Sequence, residues 1–375
     1  MKSESANNGE LRVSINELRP DMVLSRDVVN VSGTVLLAKD TMLNNINYTK
    51  LIANDLGHVY IKPESVNLSI PIFTFSDIEA ASVENQKIPV EERPEFPLFK
   101  AEYDYSSDET KRCLYEISEG GQIDLNHMYA ITNNIMGKLR CKSDVFYFLS
   151  NIKDSDEPTF HHSVNVSLLC NIFGRWMGYD SEDLANLTTS GLLHDIGKTK
   201  TPSEILNKQG KFTEQEYEIM KKHTILGYRI MQQQDIPSEI KLGALMHHEK
   251  IDGSGYPLGI TGGKIGNIAK ILTICDIYDA MTANRVYRKK LCPFEVIKMF
   301  ESRVYGELDT KYLLTFLQSI AYSYLGRWVL LSNAIEAEVV FINSRSLSQP
   351  VVRTTDDEFI DLSMERTLSI SDLTG

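Results

Sequence analysis

The chain has 375 residues, of which 24% are charged and 42% are apolar, and its formal net charge is −12. This length predicts two or three domains, and the composition is that of an ordinary water-soluble protein. The acidic balance argues against nonspecific binding to nucleic acid or to a membrane surface. It does not exclude a small anionic ligand, because bound divalent metals would reverse the local charge.

The ends and the cysteines of the chain bear on its compartment. The N-terminus MKSESANNGELRV lacks the apolar core of a signal peptide, and no apolar run approaches the roughly 20 residues of a membrane-spanning helix. The five cysteines are odd in number and form no C-x-x-C motif, which favours free thiols in a reducing compartment. We therefore expect a cytoplasmic protein without a membrane segment.

Residues 1–63 are predicted to form a small α+β module. MVLSRDVV and TVLLAKD are strand-like, and the residues Asn30–Gly33 between them are a hairpin signal. NINYTKLIANDLG predicts a helix that ends at Gly57, and residues 58–61 return as a strand. We expect this module to be regulatory or to mediate dimerisation.

The rest of the chain divides into three predicted segments. Residues 64–100 are predicted to be a linker, because this stretch is rich in proline and has no sustained period. Residues 101–325 have a helical period, and residues 326–375 return to the short strands RWVLLSN, EAEVVFIN and PVVRT. The predicted fold class is therefore mainly α, with a small N-terminal β-rich module and a short C-terminal β segment flanking a helical domain.

Six helices are predicted within this domain from their apolar stripes. The fourth opens with a T-x-x-E capping box formed by Thr213 and Glu216. The six segments are His127–Leu139, Val164–Met177, Asp183–Gly197, Glu214–Gln233, Glu239–His248 and Ile268–Ala283.

Histidine and aspartate residues concentrate in the helical domain, on stripes that face the predicted core. A single histidine on such a stripe is usually a hydrogen-bonded core residue. Burying all of these groups separately would cost free energy, whereas one shared metal site satisfies them together. Imidazole with carboxylate suits Fe, Mn or Zn better than Ca or Mg. The candidate ligands are His162, His194, Asp195, His223, His247, His248 and Asp276.

These residues and their spacing resemble the HD-GYP family, a branch of the HD phosphohydrolase superfamily. The resemblance covers roughly residues 125–322 and implies an all-helical catalytic domain. It implies a phosphodiesterase that hydrolyses cyclic di-GMP to linear pGpG, with onward hydrolysis to GMP left open. The matching segments are HSVNV at 162–166, HDIGK at 194–198, KKHTILGYRIM around His223, HHEKIDGSGYP at 247–257 and DIYDAMTANRVYR at 276–288.

The resemblance also implies how two divalent ions, Fe or Mn, would be held. One ion would be bound by His162, His194, Asp195 and Asp276, and Asp195 would bridge to a second bound by His223, His247 and His248. Some members hold a third metal through a glutamate four residues before the first histidine. Pro158 stands there in this chain, and Glu157 is one residue away. We therefore expect a binuclear site, which places the step from pGpG to GMP in question.

Asp195 and Lys198 are the predicted catalytic residues. Two metals bridged by Asp195 would neutralise the phosphodiester and lower the pKa of a shared water toward about 7, giving a bridging hydroxide that attacks phosphorus. Lys198, one turn after His194, would reach a phosphate oxygen or the leaving oxygen. The alternative for Lys198 is a solvated lysine at a helix C-terminus.

Further substrate contacts are expected from the resemblance and from side-chain chemistry. Arg285 and Arg288 carry guanidinium forks that suit phosphate and the guanine edge. Asp279 is expected to face the same site, where it can orient Lys198 or a ligand histidine.

The GYP motif of Gly255, Tyr256 and Pro257 is predicted to be a tight turn with an exposed aromatic side chain. Tyr256 would stack on guanine or shape a partner surface, and a plain structural turn is the alternative.

The candidate ligands and the family resemblance are compatible with three functions. The leading one is a metal-dependent cyclic di-GMP phosphodiesterase. A hydrolase of another cyclic dinucleotide, such as cyclic GMP–AMP, would use identical metal ligands and differ only in its base pockets. A non-catalytic cyclic di-GMP-binding module would be expected to have lost ligands, and all seven are present. A GGDEF-type diguanylate cyclase partner and a homodimer are expectations from the resemblance alone.

Overall fold

The computed structural model divides the chain into two compact units. One comprises Met1–Ile88 with Gln318–Gly375, and the other comprises Pro89–Leu317. All seven candidate ligands lie in the second unit. The residues that the structure describes are 5–6, 10–15, 18, 22–30, 33–43, 47–48, 51, 54, 56–63, 90–142, 144–152, 158–208, 210–283, 290–303, 306–365 and 367–374.

The N-terminal strands form two small antiparallel sheets, whose strands are β1 (Ser5–Ala6), β2 (Glu10–Ser14), β3 (Val28–Val29), β4 (Val35–Leu37) and β5 (His58–Ile61). One sheet has the order β1-β2-β5 and the other pairs β3 with β4. The β3–β4 pairing and the strand β5 confirm the predicted hairpin and the predicted return strand. Gly33 closes the hairpin with a φ of +79°, a conformation that glycine adopts without strain. The predicted helix before Gly57 falls largely outside the described residues.

The C-terminal segment is an antiparallel sheet of five strands, in the order β10-β6-β7-β8-β9. The alternation of buried and half-buried residues along β7 is the two-residue period of a strand with one covered face. Strands β6, β7 and β8 confirm the three predicted strands. Strands β9 and β10 are short and lack a run of β-branched residues, so their sequence carried no strand signal. The strands are β6 (Trp328–Leu331), β7 (Glu336–Asn343), β8 (Ser346–Thr354), β9 (Phe359–Asp361) and β10 (Ile370–Leu373).

The second unit is built from helices, as predicted for the central part of the chain. In chain order these begin with α1 (Glu95–Ser118), α2 (Leu125–Gly137), α3 (Asp144–Asn151), α4 (Pro158–Trp176), α5 (Ser181–Leu193) and α6 (Ser203–Leu206). They continue with α7 (Glu214–Lys221), α8 (His223–Met231), α9 (Ser238–Met246), α10 (Asn267–Thr282), α11 (Pro293–Arg303) and α12 (Thr310–Ser323), which reaches into the first unit. No helix among the described residues combines the length and the apolar character that crossing a bilayer would need.

Helix α1 begins within the segment predicted to be a linker. Pro94 and Pro97 are part of the proline content that favoured a linker, but proline is tolerated at the start and in the first turn of a helix, where the backbone N–H has no partner to lose. The remaining part of the predicted linker, up to residue 89, lies outside the described residues.

Two predicted helices are interrupted at the positions that carry candidate ligands. Helix α5 ends at Leu193, and the backbone tightens into a 3₁₀ turn, Ile196–Lys200, so that His194 and Asp195 lie at the joint. The single helix predicted over Glu214–Gln233 is wrong, because the helix breaks at Lys222. The capping box that opens it is confirmed.

Helices α4 and α5 pack closely and form the scaffold beneath the candidate ligands. A Cβ atom on Gly191 would lie 2.7 Å from the Cα of Ser167, so only glycine permits this approach. The Ser167 hydroxyl donates to the carbonyl of Thr188 at 2.8 Å, and the Asn171 amide donates to the Thr188 hydroxyl at 3.0 Å. These buried hydrogen bonds fix the register of the two helices.

Candidate metal centre

The structure brings the seven predicted ligand residues into one buried cluster. The cluster contains three overlapping groups whose ligand atoms all lie within 4.8 Å of one another. The groups are His162 with His194 and Asp276, His194 with Asp195 and His247, and His223 with His247 and His248. Five separate elements therefore deliver their polar side chains to one point, as α4, the end of α5, the start of α8, the end of α9 and α10 meet there.

Three of the histidines are held in the same way. In each, Nδ1 lies within hydrogen-bond distance of a backbone carbonyl three residues earlier, so this nitrogen carries the proton. The unprotonated Nε2 atom then points its lone pair into the cluster, as a metal ligand requires. The pairs are His194 with Gly191 at 2.7 Å, His223 with Met220 at 2.7 Å and His247 with Ala244 at 2.9 Å.

Asp195 lies at the centre of the cluster and has an unsatisfied oxygen. Its Oδ1 atom is buried and has no hydrogen-bond partner within the described part of the chain, although Nε2 of His223 lies 3.2 Å away. Nε2 of His223 and Nε2 of His247 are also 3.2 Å apart, with their lone pairs facing each other. A buried carboxylate oxygen beside two facing lone pairs is unfavourable without a cation. The donor set therefore fits a divalent metal.

The electrostatics of the cluster keep its ligands in the protonation states that bind metal. Burial lowers the pKa of His223 to about 3 and holds the pKa of His247 well below its usual range, so both imidazoles are neutral. Burial acts to raise the pKa of Asp195, but the charge of Lys198 and the neighbouring histidine outweigh it and hold that pKa well below its ordinary value. Asp195 is therefore ionised at any pH near neutrality.

His162 differs from the other ligands because two carboxylates hold it. Its Nε2 is 3.0 Å from Oδ1 of Asp276, and its Nδ1 is 2.7 Å from Oδ2 of Asp279. Burial opposes a charged imidazole, but these two hydrogen bonds outweigh it and raise the pKa of His162 to about 9. A metal at this position would replace the proton between His162 and Asp276.

Behind His162 lies a chain of hydrogen bonds that sequence reasoning had only partly anticipated. Asp279 accepts from His162 through one oxygen and from the Asn165 amide through the other, at 2.9 Å. Asn165 in turn accepts from the hydroxyl of the buried Tyr103 at 2.7 Å. Asn165 could have been found, since it lies three residues after His162 on the same helix face. Tyr103, on α1, has no local sequence signal.

Replacing Asp279 by asparagine is expected to weaken metal binding about 10- to 100-fold, the range for groups that orient a ligand histidine. Both partners of Asp279 donate hydrogen bonds to it, so an amide would leave one donor facing another. Competition with a chelator measures the loss. Tyr103→Phe, at the far end of the chain, should show a smaller change. Unaltered affinity in Asp279→Asn would contradict this role.

Lys198 lies in the 3₁₀ turn after α5 and forms an ion pair with Oδ2 of Asp195. Its side chain is 22% exposed, so the ammonium group reaches both the cluster and solvent. This position agrees with a lysine at the mouth of the site more than with a fully solvated one.

The GYP motif lies directly against the cluster. The ring of Tyr256 stacks on His248, with the ring centroids 4.7 Å apart, and the Tyr256 N–H donates to the His248 carbonyl at 3.1 Å. One face of this ring is therefore covered by His248, so the Tyr256 side chain is half-buried and not exposed as predicted. A Cβ atom on Gly255 would lie 2.4 Å from the backbone nitrogen of Lys250, which explains the need for glycine there.

Glu249 is a residue of this loop that sequence reasoning missed. Its buried carboxylate accepts backbone N–H groups from Leu258 at 2.6 Å, Gly259 at 3.2 Å and Ile260 at 3.1 Å. It therefore anchors the loop that carries the GYP motif beside the paired histidines. The sequence signal that could have identified Glu249 is an acidic residue next to a glycine-rich loop.

Glu249→Gln is expected to destabilise the protein by about 1.5–3 kcal/mol, because hydrogen bonds to a charged acceptor are lost and an amide NH₂ faces a backbone donor. Urea unfolding measures this free energy. The matched control is Glu307→Gln, whose carboxylate is 46% exposed and pairs with Lys250, and it should change stability by less than about 1 kcal/mol. Equal effects of the two variants would contradict an anchoring role.

Several predicted residues lie where the structure gives no account of their side chains. Arg285, Arg288 and Glu157 fall outside the described residues, so the predicted substrate contacts of the two arginines stay predictions. Pro158 is the first residue of α4, four residues before His162.

Comparison with known proteins shows what the chain is similar to. Residues 148–311 match the family described as HD domain. A cyclic di-GMP phosphodiesterase of Pseudomonas aeruginosa is 31% identical over 235 residues, which cover 62% of this chain and 56% of that protein. The 3'3'-cGAMP-specific phosphodiesterase 1 of Vibrio cholerae is 36% identical over 165 residues, covering 44% and 38% respectively. A cyclic di-GMP phosphodiesterase of Thermotoga maritima is 35% identical over 162 residues, covering 42% and 43%. The chain thus spans about half the length of these relatives or less.

Proposed function

We propose that the protein is a metal-dependent phosphodiesterase that hydrolyses cyclic di-GMP to linear pGpG, and the match of residues 148–311 to the family described as HD domain supports this. Two relatives at 31% and 35% identity bear the name cyclic di-GMP phosphodiesterase. The observation that carries the proposal is the unsatisfied, buried Oδ1 atom of Asp195 amid neutral imidazoles. Without a cation this arrangement costs free energy, whereas with a cation the oxygen and the imidazoles would serve as its ligands.

The cluster would hold two divalent ions, and Fe or Mn is the proposed identity. The two oxygens of Asp195 support a bridging role, since Oδ2 lies 3.3 Å from His194 and Oδ1 lies 3.2 Å from His223. One ion would be held by His162, His194, Asp195 and Asp276, and the other by Asp195, His223, His247 and His248. Such a pair supplies a water of lowered pKa and positive charge opposite the phosphodiester.

The protein's own groups would then orient the substrate and neutralise its charge. Lys198, anchored on Asp195 and partly open to solvent, would approach a non-bridging phosphate oxygen or the departing ribose oxygen. We assign Asp279 to the orientation of His162, since both of its oxygens are engaged within the protein. Tyr256 would keep His248 in place through its stacked ring, leaving its other face and edge for a base.

The residue four positions before His162 bears on the final product. Pro158 offers no oxygen or nitrogen ligand from its side chain, so the third ion that a glutamate would hold there is not expected. We therefore propose that hydrolysis stops at pGpG.

A second candidate substrate is 3'3'-cGAMP, because a relative at 36% identity is named as specific for it. The metal ligands would be the same, and only contacts to the bases would distinguish the two substrates. Arg285 and Arg288, which we expect to make some of those contacts, lie outside the described residues.

The deciding experiment is product analysis by liquid chromatography. Protein purified anaerobically and loaded with Fe(II) or Mn(II) is incubated in parallel with cyclic di-GMP and with 3'3'-cGAMP. We expect pGpG to accumulate from cyclic di-GMP, and chelation of the metal to stop it. Faster hydrolysis of 3'3'-cGAMP would make it the preferred substrate in place of cyclic di-GMP. GMP as the main product would overturn the inference from Pro158.

A binding measurement on the same samples distinguishes a phosphodiesterase from a non-catalytic binding module. If neither dinucleotide is hydrolysed with either metal, yet cyclic di-GMP binds in a calorimetric titration, the protein is a binding module rather than an enzyme. Binding without hydrolysis would therefore contradict the proposed activity.

A further inference from the structure

A second group of metal-ligand side chains lies in the helical unit, apart from the seven-residue cluster. Glu109 and Cys113 are one turn apart on α1, and His127 lies in the first turn of α2. Ligand atoms of the three residues all lie within 4.8 Å of one another. We propose that Glu109, Cys113 and His127 form a separate binding site for a zinc-type divalent ion.

The distances suit a tetrahedral ion. Nε2 of His127 lies 2.9 Å from Oε1 of Glu109, and Sγ of Cys113 lies 3.8 Å from the same oxygen. Tetrahedral zinc, with its usual bond lengths, separates a nitrogen and an oxygen ligand by about 3.3 Å and a sulfur and an oxygen ligand by about 3.5 Å. The observed separations lie on either side of these values, so shifts of a few tenths of an ångström complete the site.

The ligand types separate this site from the seven-residue cluster. A thiolate with imidazole and carboxylate favours zinc, whereas imidazole with carboxylate alone also serves iron and manganese. No sulfur is among the seven ligands of the cluster. One protein can therefore hold harder ions in the cluster and a softer ion between α1 and α2.

Arg112 is the competitor for this site. Its guanidinium group donates to both oxygens of Glu109, at 3.2 Å and 2.5 Å. The Arg112 side chain is 61% exposed, and exposed ion pairs contribute little to stability. A second carboxylate, Glu116, lies 3.7 Å from another nitrogen of Arg112 and can receive it when a metal takes Glu109.

The exposure of the three side chains is that expected for a metal site with one open coordination position. Glu109 and Cys113 are largely buried, while the His127 side chain is 47% exposed. The protein thus supplies three ligands and leaves the fourth place to water. Because the ligands come from two helices, a bound ion would link α1 to α2 and stabilise the folded state.

The test is a titration of the full-length protein with Co(II), which replaces zinc and gives a near-ultraviolet thiolate-to-cobalt absorption only when sulfur is a ligand. We expect this band in the wild type, with an amplitude at saturation that corresponds to one thiolate ligand per chain. Cys113→Ser should abolish it. The matched control is Cys141→Ser, a half-exposed thiol of the same unit, and it should retain the band.

A second measurement protects the result against misfolding of the Cys113 variant. His127→Gln alters an exposed side chain and should fold normally. Zn(II) should therefore raise the melting temperature of the wild type by more than that of His127→Gln, in which only the seven-residue cluster can bind the ion. Absence of the cobalt band in the wild type, or its persistence in Cys113→Ser, would overturn the proposal. Neither readout depends on phosphodiesterase activity, so this site and the proposed function stand or fall separately.

Discussion

Replacing Asp195 by asparagine is expected to lower the rate of cyclic di-GMP hydrolysis by about 10³-fold or more. Asp195 is the residue whose two oxygens face both halves of the cluster. An amide offers one weaker acceptor and an NH₂ group directed at an imidazole, so at least one ion is lost. A metal pair contributes several kcal/mol of charge stabilisation to the transition state, and each 1.36 kcal/mol corresponds to a tenfold change in rate. Steady-state rates and metal content by mass spectrometry measure the effect together.

The control for this variant is its folded stability without metal. Oδ1 of Asp195 has no hydrogen bond to lose within the described residues, and Lys198 can turn to solvent once its partner is neutral. Chelator-treated Asp195→Asn should therefore unfold within about 1 kcal/mol of the chelator-treated wild type. Asp183→Asn, which changes an exposed aspartate of α5, should leave rate and metal content unchanged. Retention of both ions in Asp195→Asn would remove the bridging role.

The candidate ligands could be identified from sequence because each combines an unusual residue type with a periodic position. His194, His223 and Asp276 fall on apolar stripes of helices, where a charged or imidazole side chain has no reason to be unless it has a partner. The structure brings all three together with the other predicted ligands. The helical class of the central domain follows from the same periodicity.

The parts that sequence reasoning missed depend on geometry between elements distant in the chain. The break at Lys222 leaves the helical pattern intact on both sides, so the apolar period alone predicts one helix. Tyr103 reaches Asp279 only through Asn165, across three helices. Glu249 captures backbone groups that any sequence would provide. Such contacts leave no spacing signal, because backbone donors are the same for every residue type.

Gly197→Ala is expected to separate two of the elements that build the site. A Cβ atom at this position would lie 1.9 Å from the carbonyl oxygen of His223 and 2.5 Å from the backbone nitrogen of Gly227. Neither atom belongs to a flexible side chain, so helix α8 itself must move. Gly227 is also a glycine, and a Cβ atom there would lie 3.3 Å from the backbone nitrogen of Gly197. Overpacking of this kind costs about 1–3 kcal/mol, which corresponds to roughly 2–12 °C in melting temperature for a domain of this size.

The shift of α8 should also change the metal content, since His223 begins that helix. We expect Gly197→Ala to retain the ion held by His162, His194, Asp195 and Asp276 and to lose the one that needs His223. Gly263→Ala is the matched control, because a Cβ atom there would meet nothing within 4 Å. Calorimetry and metal analysis of both variants separate a local displacement from general unfolding. If Gly197→Ala bound two ions with wild-type stability, the contact between the 3₁₀ turn and α8 would not position His223. The proposed two-ion site would depend on that contact, because Asp195 and His223 lie on its opposite sides with Oδ1 and Nε2 3.2 Å apart.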